Sequence, residues 1–145
     1  MIVVSKCLTG CPCRYDGKSK PDPAIAALVL RGEAIAVCPE QLGGLPTPRV
    51  SAELTGTGGD VLDGKARAVT RDGRDVTEAF VKGAYEALRI AKKTGAERAI
   101  LKSKSPSCGC GAVYDGSFTG SIVPGDGVAA ALFKRNGIIV EVSDG

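Results

Sequence analysis

Short apolar runs alternate along the chain with stretches in which apolar residues recur every three or four positions. Runs rich in Val, Ile and Ala are typical of buried strands, and they predict strands over residues 2–4, 34–37, 99–101 and 138–142. The helical spacing predicts helices over residues 23–31, 78–94 and 128–134, each with a glycine at or soon after its end. Strands that alternate with helices predict an α/β domain, with a mostly parallel sheet and helices on both faces.

Residues 56–76 interrupt this alternation. Asp63-Gly64 lies between Val61-Leu62 and an extended run over 66–70, and Asp72-Gly73 follows that run. Asp-Gly between extended runs is a strong signal for a tight hairpin turn, so we predict a β-hairpin insertion that flanks the functional site. With 145 residues, the chain fits a single domain over residues 1–145.

Composition and charge narrow the classes of protein that fit this chain. It is 43% apolar, and its formal net charge is +3 without a long basic run, which does not indicate strong nonspecific binding of nucleic acid. No apolar run approaches the roughly 20 residues that a membrane-spanning helix needs, and residues 1–6 lack the features of a signal peptide. We therefore expect a cytoplasmic protein that does not bind membranes.

Six cysteines and no histidine are the features of the composition that bear most on chemistry. In a reducing compartment, cysteines bind metals or take part in catalysis more often than they form disulfides. Without an imidazole, the chain contains no Cys–His nucleophile pair, and a metal site would have to use thiolates and carboxylates. Thiolate ligands favour zinc, Cu(I) or iron–sulfur clusters.

Three of the cysteines, Cys7, Cys38 and Cys108, each lie just past the end of a predicted strand. For any one of these loops alone, a turn with a buried structural cysteine would be the simplest interpretation. Because ligands bind at the carboxyl ends of parallel strands, however, the three thiols should meet at one edge of the sheet. The close pairs are Cys-x-Cys rather than the Cys-x-x-Cys of zinc ribbons. Three thiolates from three strand ends indicate a metal or cluster site, and they suit a 4Fe-4S cluster with one iron open.

The other three cysteines are placed outside the predicted ligand set. Cys11 and Cys13 lie farther along the first loop, and at Cys13 thermal motion would blur the geometry that a cluster requires. Cys110 follows Cys108 by two residues, so binding both would form a cramped chelate and fill the iron that must stay open.

Several polar residues near these cysteines are candidates for chemistry. Glu40, two residues after Cys38, is either a solvated carboxylate or a general base, since the chain has no histidine for that role. Ser105 and Ser107 either cap the turn or hydrogen-bond a substrate. We interpret Tyr15 and Tyr114 as packing residues. Four cations are solvated or balance the charge of a cluster: Arg14, Arg49, Lys102 and Lys104.

Several motifs surround these candidates. They are Cys7-Leu8-Thr9-Gly10, Cys13-Arg14-Tyr15-Asp16-Gly17, Cys38-Pro39-Glu40, Gly43-Gly44-Leu45 with Pro48-Arg49, and Ser105-Pro106-Ser107-Cys108-Gly109. With further matches over 60–65 and 124–127, they cover nearly the whole chain. Together they resemble a bacterial family, long labelled as of unknown function, with members recognised as thiouracil desulfidases.

The resemblance implies a 4Fe-4S cluster on three cysteines and removal of sulfur from a thiocarbonyl without net redox change. It also implies a Glu and a Ser beside the cluster; Glu40 and Ser105 match them, with Ser107 or Ser103 as alternatives for the serine. We expect Ser107, Ser103 and Arg49 to contact the substrate. Cys13 belongs to the family motif, which leaves four motif cysteines for three ligand positions.

Two hypotheses of different classes follow. The first is a cytoplasmic desulfidase in which Glu40 activates water to attack the thiocarbonyl carbon of a small thiolated base or nucleoside, with release of sulfide. The second is a non-catalytic zinc- or thiol-based protein, such as a sulfur carrier or a partner-binding module. Free thiouracil, a thionucleoside and a thiolated tRNA base all remain open as substrates, and the weak net charge disfavours intact tRNA.

Overall fold

The computed structural model describes residues 1–145 and contains eight strands and five α-helices. The strands are β1 Ile2–Ser5, β2 Ala34–Val37, β3 Ala52–Leu54, β4 Ala68–Thr70, β5 Arg98–Lys102, β6 Ala112–Tyr114, β7 Ile122–Pro124 and β8 Ile139–Ser143. The helices are α1 Pro23–Leu30, α2 Pro39–Leu42, α3 Gly58–Leu62, α4 Thr77–Lys93 and α5 Val128–Arg135, and a 3-10 turn spans Lys6–Thr9. None of the helices combines the length and hydropathy needed to cross a bilayer.

The central sheet is parallel throughout, with the strand order β2-β1-β5-β8. Successive side chains of β1 point to opposite faces, as the strand geometry requires. Val3 therefore packs in the larger core with residues of α4 and α5, whereas Val4 packs in the smaller core with Ile25 of α1. The predicted α/β domain, with a mostly parallel sheet and helices on both faces, is confirmed.

The predicted hairpin at Asp63-Gly64 is wrong, because residues 58–62 form helix α3 instead of a strand. A reciprocal capping box starts this helix: Thr57 Oγ1 accepts from the Asp60 N–H at 3.1 Å, and Asp60 Oδ2 accepts from the Thr57 N–H at 3.1 Å. These bonds satisfy two donors at the helix start, and Val61 is buried beneath it. Asp63-Gly64 therefore ends a helix.

An antiparallel element does exist in this region, but other residues build it. β3 pairs antiparallel with β4, and α3 lies in the connection between them. The tight turn forms at Asp72-Gly73, where the Gly73 N–H donates to the Thr70 carbonyl at 2.9 Å. This turn follows β4 and brings Asp75 back to pair with Val69, so the hairpin turn lies one Asp-Gly pair later than predicted.

Helix α2, which directly follows the second strand-end cysteine, is positioned by close contact with α4. A Cβ atom built on Gly83 of α4 would lie 1.8 Å from the Pro39 carbonyl oxygen of α2. On the other side of the contact, a Cβ atom on Gly43 would lie 2.0 Å from the Ala79 carbonyl oxygen. Only glycine allows the two backbones to approach this closely.

Gly83→Ala is therefore expected to lower the free energy of unfolding by about 1–3 kcal/mol, the usual cost of overpacking. In an uncrowded helix the same substitution is stabilising by up to about 1 kcal/mol, so the sign of the change is diagnostic. Urea unfolding measures it, with Lys82→Ala at the exposed neighbouring position as the control. A Gly83→Ala protein as stable as the wild type would contradict the close contact.

Candidate active site

A cavity of about 330 Å³ opens at the carboxyl ends of the central strands. The last residues of β1, β2 and β5, which are Ser5, Val37 and Lys102, all lie on its wall. Strand β3 and the turn between β6 and β7 add Glu53 and Phe118 to the wall. The cavity thus occupies the edge of the sheet at which a ligand site was expected.

Four thiols line this cavity. Cys7, Cys38 and Cys108 come from the ends of three different strands, and Cys13 joins them from the first loop. The Cys38 thiol lies 3.9 Å from the Cys13 carbonyl oxygen. Cys11 and Cys110 do not line the cavity. The structure therefore brings the three predicted ligands to one cavity. Cys13, the fourth cysteine of the family motif, lies in the same cavity.

Cys13 is buried on the cavity wall, and not in the mobile position that was expected for it. Its side chain is 2% exposed, and the Arg49 Nη2 group donates to its carbonyl oxygen at 3.1 Å. Its own N–H donates to the Cys11 carbonyl at 2.8 Å. A buried side chain on a backbone held at these points has a defined position, so Cys7 and Cys13 are both placed well enough to be ligands.

For three of these thiols, Cys13, Cys38 and Cys108, the surroundings raise the pKa and favour the protonated form when no cation is bound. Burial raises the pKa of Cys108 to about 12, although the nearby Ser5 and Ser105 hydroxyls lower it. At Cys13, a hydrogen bond with Cys38 lowers the pKa, but contact with Cys7 and burial raise it to about 12. The pKa of Cys38 is also raised, by contact with Cys13 and by burial. A bound metal group would supply the positive charge that allows such thiols to ionise.

The thiols surround a space and do not meet at a point. No three Cys, Asp or Glu side chains are grouped closely enough to hold one metal ion. They belong to separate elements on the wall of a cavity of about 330 Å³. Soft thiolate donors on one cavity wall fit the chemistry of an iron–sulfur cluster.

The loop that carries Cys108 is held against the start of α5. Val128 donates its N–H to the Pro106 carbonyl at 2.9 Å, and Ala129 donates to the Ser107 carbonyl at 2.8 Å. A Cβ atom on Gly127 would lie 2.5 Å from the Ser107 carbonyl carbon, so only glycine permits this approach. The helix thus uses its free N–H groups to position the loop.

The three candidate serines have different environments. Ser105 Oγ accepts from the N–H groups of Ser107 and Cys108 at 3.2 and 3.1 Å, so it does cap the turn, and it also lines the cavity. Ser103 lines the cavity as well. Ser107 is 1% exposed and is not on the cavity wall, and its hydroxyl has no hydrogen-bond partner. The expected contact of Ser107 with substrate therefore has no support from its position, because it is buried against α5.

Glu40 lies in the first turn of α2 on the cavity wall. Its side chain is 16% exposed, and Oε1 accepts from Arg49 Nε at 3.2 Å. Burial raises the pKa of this carboxyl, and the positive charges of Arg49 and Arg14 oppose the rise. A carboxylate in this environment is a better proton acceptor near neutral pH than a solvated one.

Arg49 uses its donors inside the protein. The guanidinium is 6% exposed, and besides Glu40 and the Cys13 carbonyl it donates to Thr47 Oγ1 at 3.1 Å and to the Pro46 carbonyl at 3.2 Å. These bonds tie the carboxylate to the loop of Cys13. Arg49 also lines the cavity, so its expected contact with substrate stays a prediction, and its hydrogen bonds orient Glu40.

Aromatic rings and cations surround the mouth of the cavity. Three of the six aromatic residues of the chain line it: Tyr15, Tyr114 and Phe118. The Arg14 guanidinium lies 5.6 Å from the centre of the Tyr15 ring, and that of Arg71 lies 5.8 Å from the centre of the Phe118 ring. Lys6, Lys102 and Lys104 add further positive charge. This rim suits a planar, electron-rich or anionic ligand.

Comparison with known proteins gives the family. The family profile described as 2-thiouracil desulfurase matches residues 2–144, almost the full chain. The chain belongs to the 2-thiouracil desulfurase family.

Two individual proteins are similar to this 2-thiouracil desulfurase family member over most of their length. The uncharacterised protein YbbK of Bacillus subtilis (strain 168) is 49% identical over 138 residues, which are 94% of this chain and 91% of YbbK. The solved structure of the 4Fe-4S-dependent thiouracil desulfidase TudS superposes with a TM-score of 0.88 at 45% identity, covering 99% of this chain and 90% of TudS. The resemblance seen in the sequence motifs is confirmed.

Sequence reasoning missed part of this family member's cavity. Phe118, Arg71 and Glu53 lie on its wall, but none of them stands near a cysteine or in a recognised motif. Glu53 Oε1 accepts from the N–H groups of Gly116 and Phe118 at 2.9 and 3.1 Å, which joins β3 to the turn between β6 and β7. No local sequence pattern predicts this contact, because it joins residues far apart in the chain.

Proposed function

We propose that this protein is a desulfidase that hydrolyses the carbon–sulfur bond of a thiolated pyrimidine and releases sulfide without net redox change. The observation that carries the proposal is one cavity lined by four thiols, three of them buried, and a largely buried carboxylate, in a member of the 2-thiouracil desulfurase family. The overall reaction exchanges the thiocarbonyl sulfur for a water oxygen, so that thiouracil and water become uracil and hydrogen sulfide.

Cys7, Cys38 and Cys108 are the proposed ligands of a 4Fe-4S cluster. Each follows the end of a different central strand and lines the cavity. When bound, the cluster supplies an open iron, a Lewis acid with high affinity for the sulfur of a thiocarbonyl. The similarity to a 4Fe-4S-dependent desulfidase supports the choice of this cofactor.

Glu40 is the proposed general base. Its carboxylate lines the same cavity as the thiols, and it accepts a proton from the water that attacks the thiocarbonyl carbon. Arg49 holds Oε1 in place, and its charge opposes the rise in the pKa of Glu40 that burial causes. Ser105 lies beside Cys108, and its oxygen already accepts two N–H groups. Its hydroxyl hydrogen is therefore the group that can donate to the substrate and orient it.

The proposed substrates are thiolated pyrimidines, and they include the nucleoside and the nucleotide as well as the free base. The rings of Tyr15, Tyr114 and Phe118 offer stacking surfaces, and the surrounding Lys and Arg side chains suit the phosphate of a nucleotide. We therefore expect thiouridine and its 5′-monophosphate to be accepted along with thiouracil. The six free thiols are consistent with a reducing compartment, and we propose the cytoplasm as the location.

Anaerobic reconstitution with iron and sulfide tests this function. We expect a brown protein that releases sulfide from 2-thiouracil and from its nucleoside and nucleotide, measured colorimetrically alongside the desulfurated product. The same protein without the cluster serves as the control. A colourless protein that holds one zinc and releases no sulfide would instead support the alternative of a non-catalytic zinc or thiol protein.

A further inference from the structure

The pairing of β5 with β8 brings the C-terminal tail to the cavity wall. Lys102 lies beside Ser143 in the register of these strands, and the Ser103 N–H donates to the Ser143 carbonyl at 3.0 Å. Ser143 Oγ in turn donates to Asp22 Oδ2 at 2.7 Å, which ties the tail to the start of α1. Asp144, the next residue, is thereby held beside Ser103.

A chain of hydrogen bonds runs from Asp144 into the cavity. Ser103 Oγ donates to Asp144 Oδ1. Lys102 Nζ donates to Ser103 Oγ at 3.3 Å and to the Ser103 carbonyl at 3.1 Å. Lys102 and Ser103 both line the cavity. These hydrogen bonds therefore link the side-chain carboxylate of Asp144 to the Lys102 ammonium group on the cavity wall.

The hydrogen-bond donors of Ser103 and Lys102 in this network can be counted. A serine hydroxyl has one hydrogen, and that of Ser103 is given to Asp144, so Ser103 has none to offer a substrate. An ammonium group has three, of which Lys102 gives two to Ser103. The remaining N–H of Lys102 is the donor available to a bound molecule.

The surroundings of Lys102 make this donor effective. The side chain is half-buried, and that burial lowers its pKa, as does the charge of Arg14, whereas Cys7 and Asp144 raise it. A partly desolvated ammonium forms strong charge-assisted hydrogen bonds. Because Ser103 already holds it at two points, less side-chain freedom is lost when it binds a ligand.

We propose that Lys102 binds an oxygen acceptor of the substrate, and that Asp144 is a positioning residue that holds Lys102 through Ser103. This proposal rests on the function proposed above. A carbonyl oxygen of the pyrimidine and a phosphate oxygen of the nucleotide both fit the chemistry of an ammonium donor, and the choice of substrate distinguishes them.

Steady-state kinetics with the cluster-loaded protein test the proposal, with 2-thiouracil and 2-thiouridine 5′-monophosphate as substrates. Loss of a charge-assisted hydrogen bond in Lys102→Met should raise KM about tenfold or more and change kcat little. A rise for both substrates assigns the contact to the base, and a rise for the nucleotide alone assigns it to the phosphate. Calorimetric titration with uracil and uridine 5′-monophosphate gives the corresponding Kd without turnover.

Asp144 variants separate positioning from a merely structural role. Asp144→Ala should raise KM about three- to tenfold, whereas Asp144→Asn, which still offers an oxygen to the Ser103 hydroxyl, should stay near the wild type. Glu141→Ala is the matched control, because Glu141 lies on the same terminal segment in an exposed ion pair with Arg98.

Two results would overturn the assignment. One is a Lys102→Met protein whose KM and Kd stay within about twofold of the wild type for every ligand. The other is equal behaviour of Asp144→Ala and Glu141→Ala. If Lys102→Met does not fold, Lys102→Arg and the Asp144 variants decide. A wild-type protein that releases no sulfide would reject the proposed function, and the calorimetric comparison would still decide the role of Lys102.

Discussion

Replacing Glu40 by glutamine is expected to leave the cluster bound and to reduce sulfide release at least about 100-fold. The amide keeps the shape of the side chain but does not accept a proton from water. It retains an oxygen that can accept from Arg49 Nε, the bond that holds Oε1 in the wild type at 3.2 Å. The local structure should therefore persist while the base is lost.

The comparison requires iron content and sulfide release from the same preparation. Glu33→Gln is the matched control, because Glu33 is an exposed acid paired with Arg31 just before β2 and does not line the cavity. Near-normal turnover in Glu40→Gln would remove Glu40 from the mechanism. A colourless Glu40→Gln protein would make this residue a ligand or a folding residue instead.

The same carboxylate predicts the direction of the pH dependence. Burial raises the pKa of Glu40, and the charge of Arg49 only partly opposes this. Since a protonated carboxyl cannot act as a base, activity should fall on the acid side at a pH above the ordinary range for a glutamate. A pH–rate profile of kcat/KM measures this limb.

Replacing Cys38 or Cys108 by alanine is expected to abolish iron binding after reconstitution. Both thiols are on the cavity wall, and Cys108 is 5% exposed on a loop that α5 holds in place. A cluster with a ligand missing loses both a bond and the positional restraint of that strand end. Cys11→Ala and Cys110→Ala are the controls, because neither side chain lines the cavity.

The same measurement of iron content decides whether Cys7 or Cys13 is the third cluster ligand. We expect iron to be lost in Cys7→Ala and largely kept in Cys13→Ala, since Cys7 lies in the 3-10 turn that begins right after β1, closer to the sheet along the chain than Cys13. The opposite pattern would transfer the third ligand position to Cys13, whose buried thiol and firmly held carbonyl place it in the same wall. Iron retained in both Cys38→Ala and Cys108→Ala would contradict the site itself.

The strand-end cysteines show how much of the site a local sequence pattern can predict. The runs of Val and Ile predict β1, β2 and β5 closely, and the rule for parallel sheets then places Cys7, Cys38 and Cys108 at one edge. The cap at Asp22, whose Oδ1 accepts from the Ala24 N–H at 3.1 Å, is local in the same way. Such features need only a few neighbouring residues.

Asp63-Gly64 shows where a local pattern misleads. The pair is compatible with a hairpin turn and with the end of a helix, and the capping box at Thr57 and Asp60 decides for the helix. Two hydrogen bonds formed upstream of the pair settle its conformation, so a turn signal considered alone cannot identify the structure around it.

The sequence by itself determined the α/β class, the order of the central elements along the chain and the loops that carry the cysteines, because hydrophobic period is a property of neighbouring positions. Only the tertiary structure decided that Cys13 shares the wall with Cys7, that Arg49 serves Glu40, and that Asp144 reaches Ser103. These contacts depend on how the loops fold over the edge of the sheet. That folding follows from packing between elements far apart in the chain, which no local pattern records.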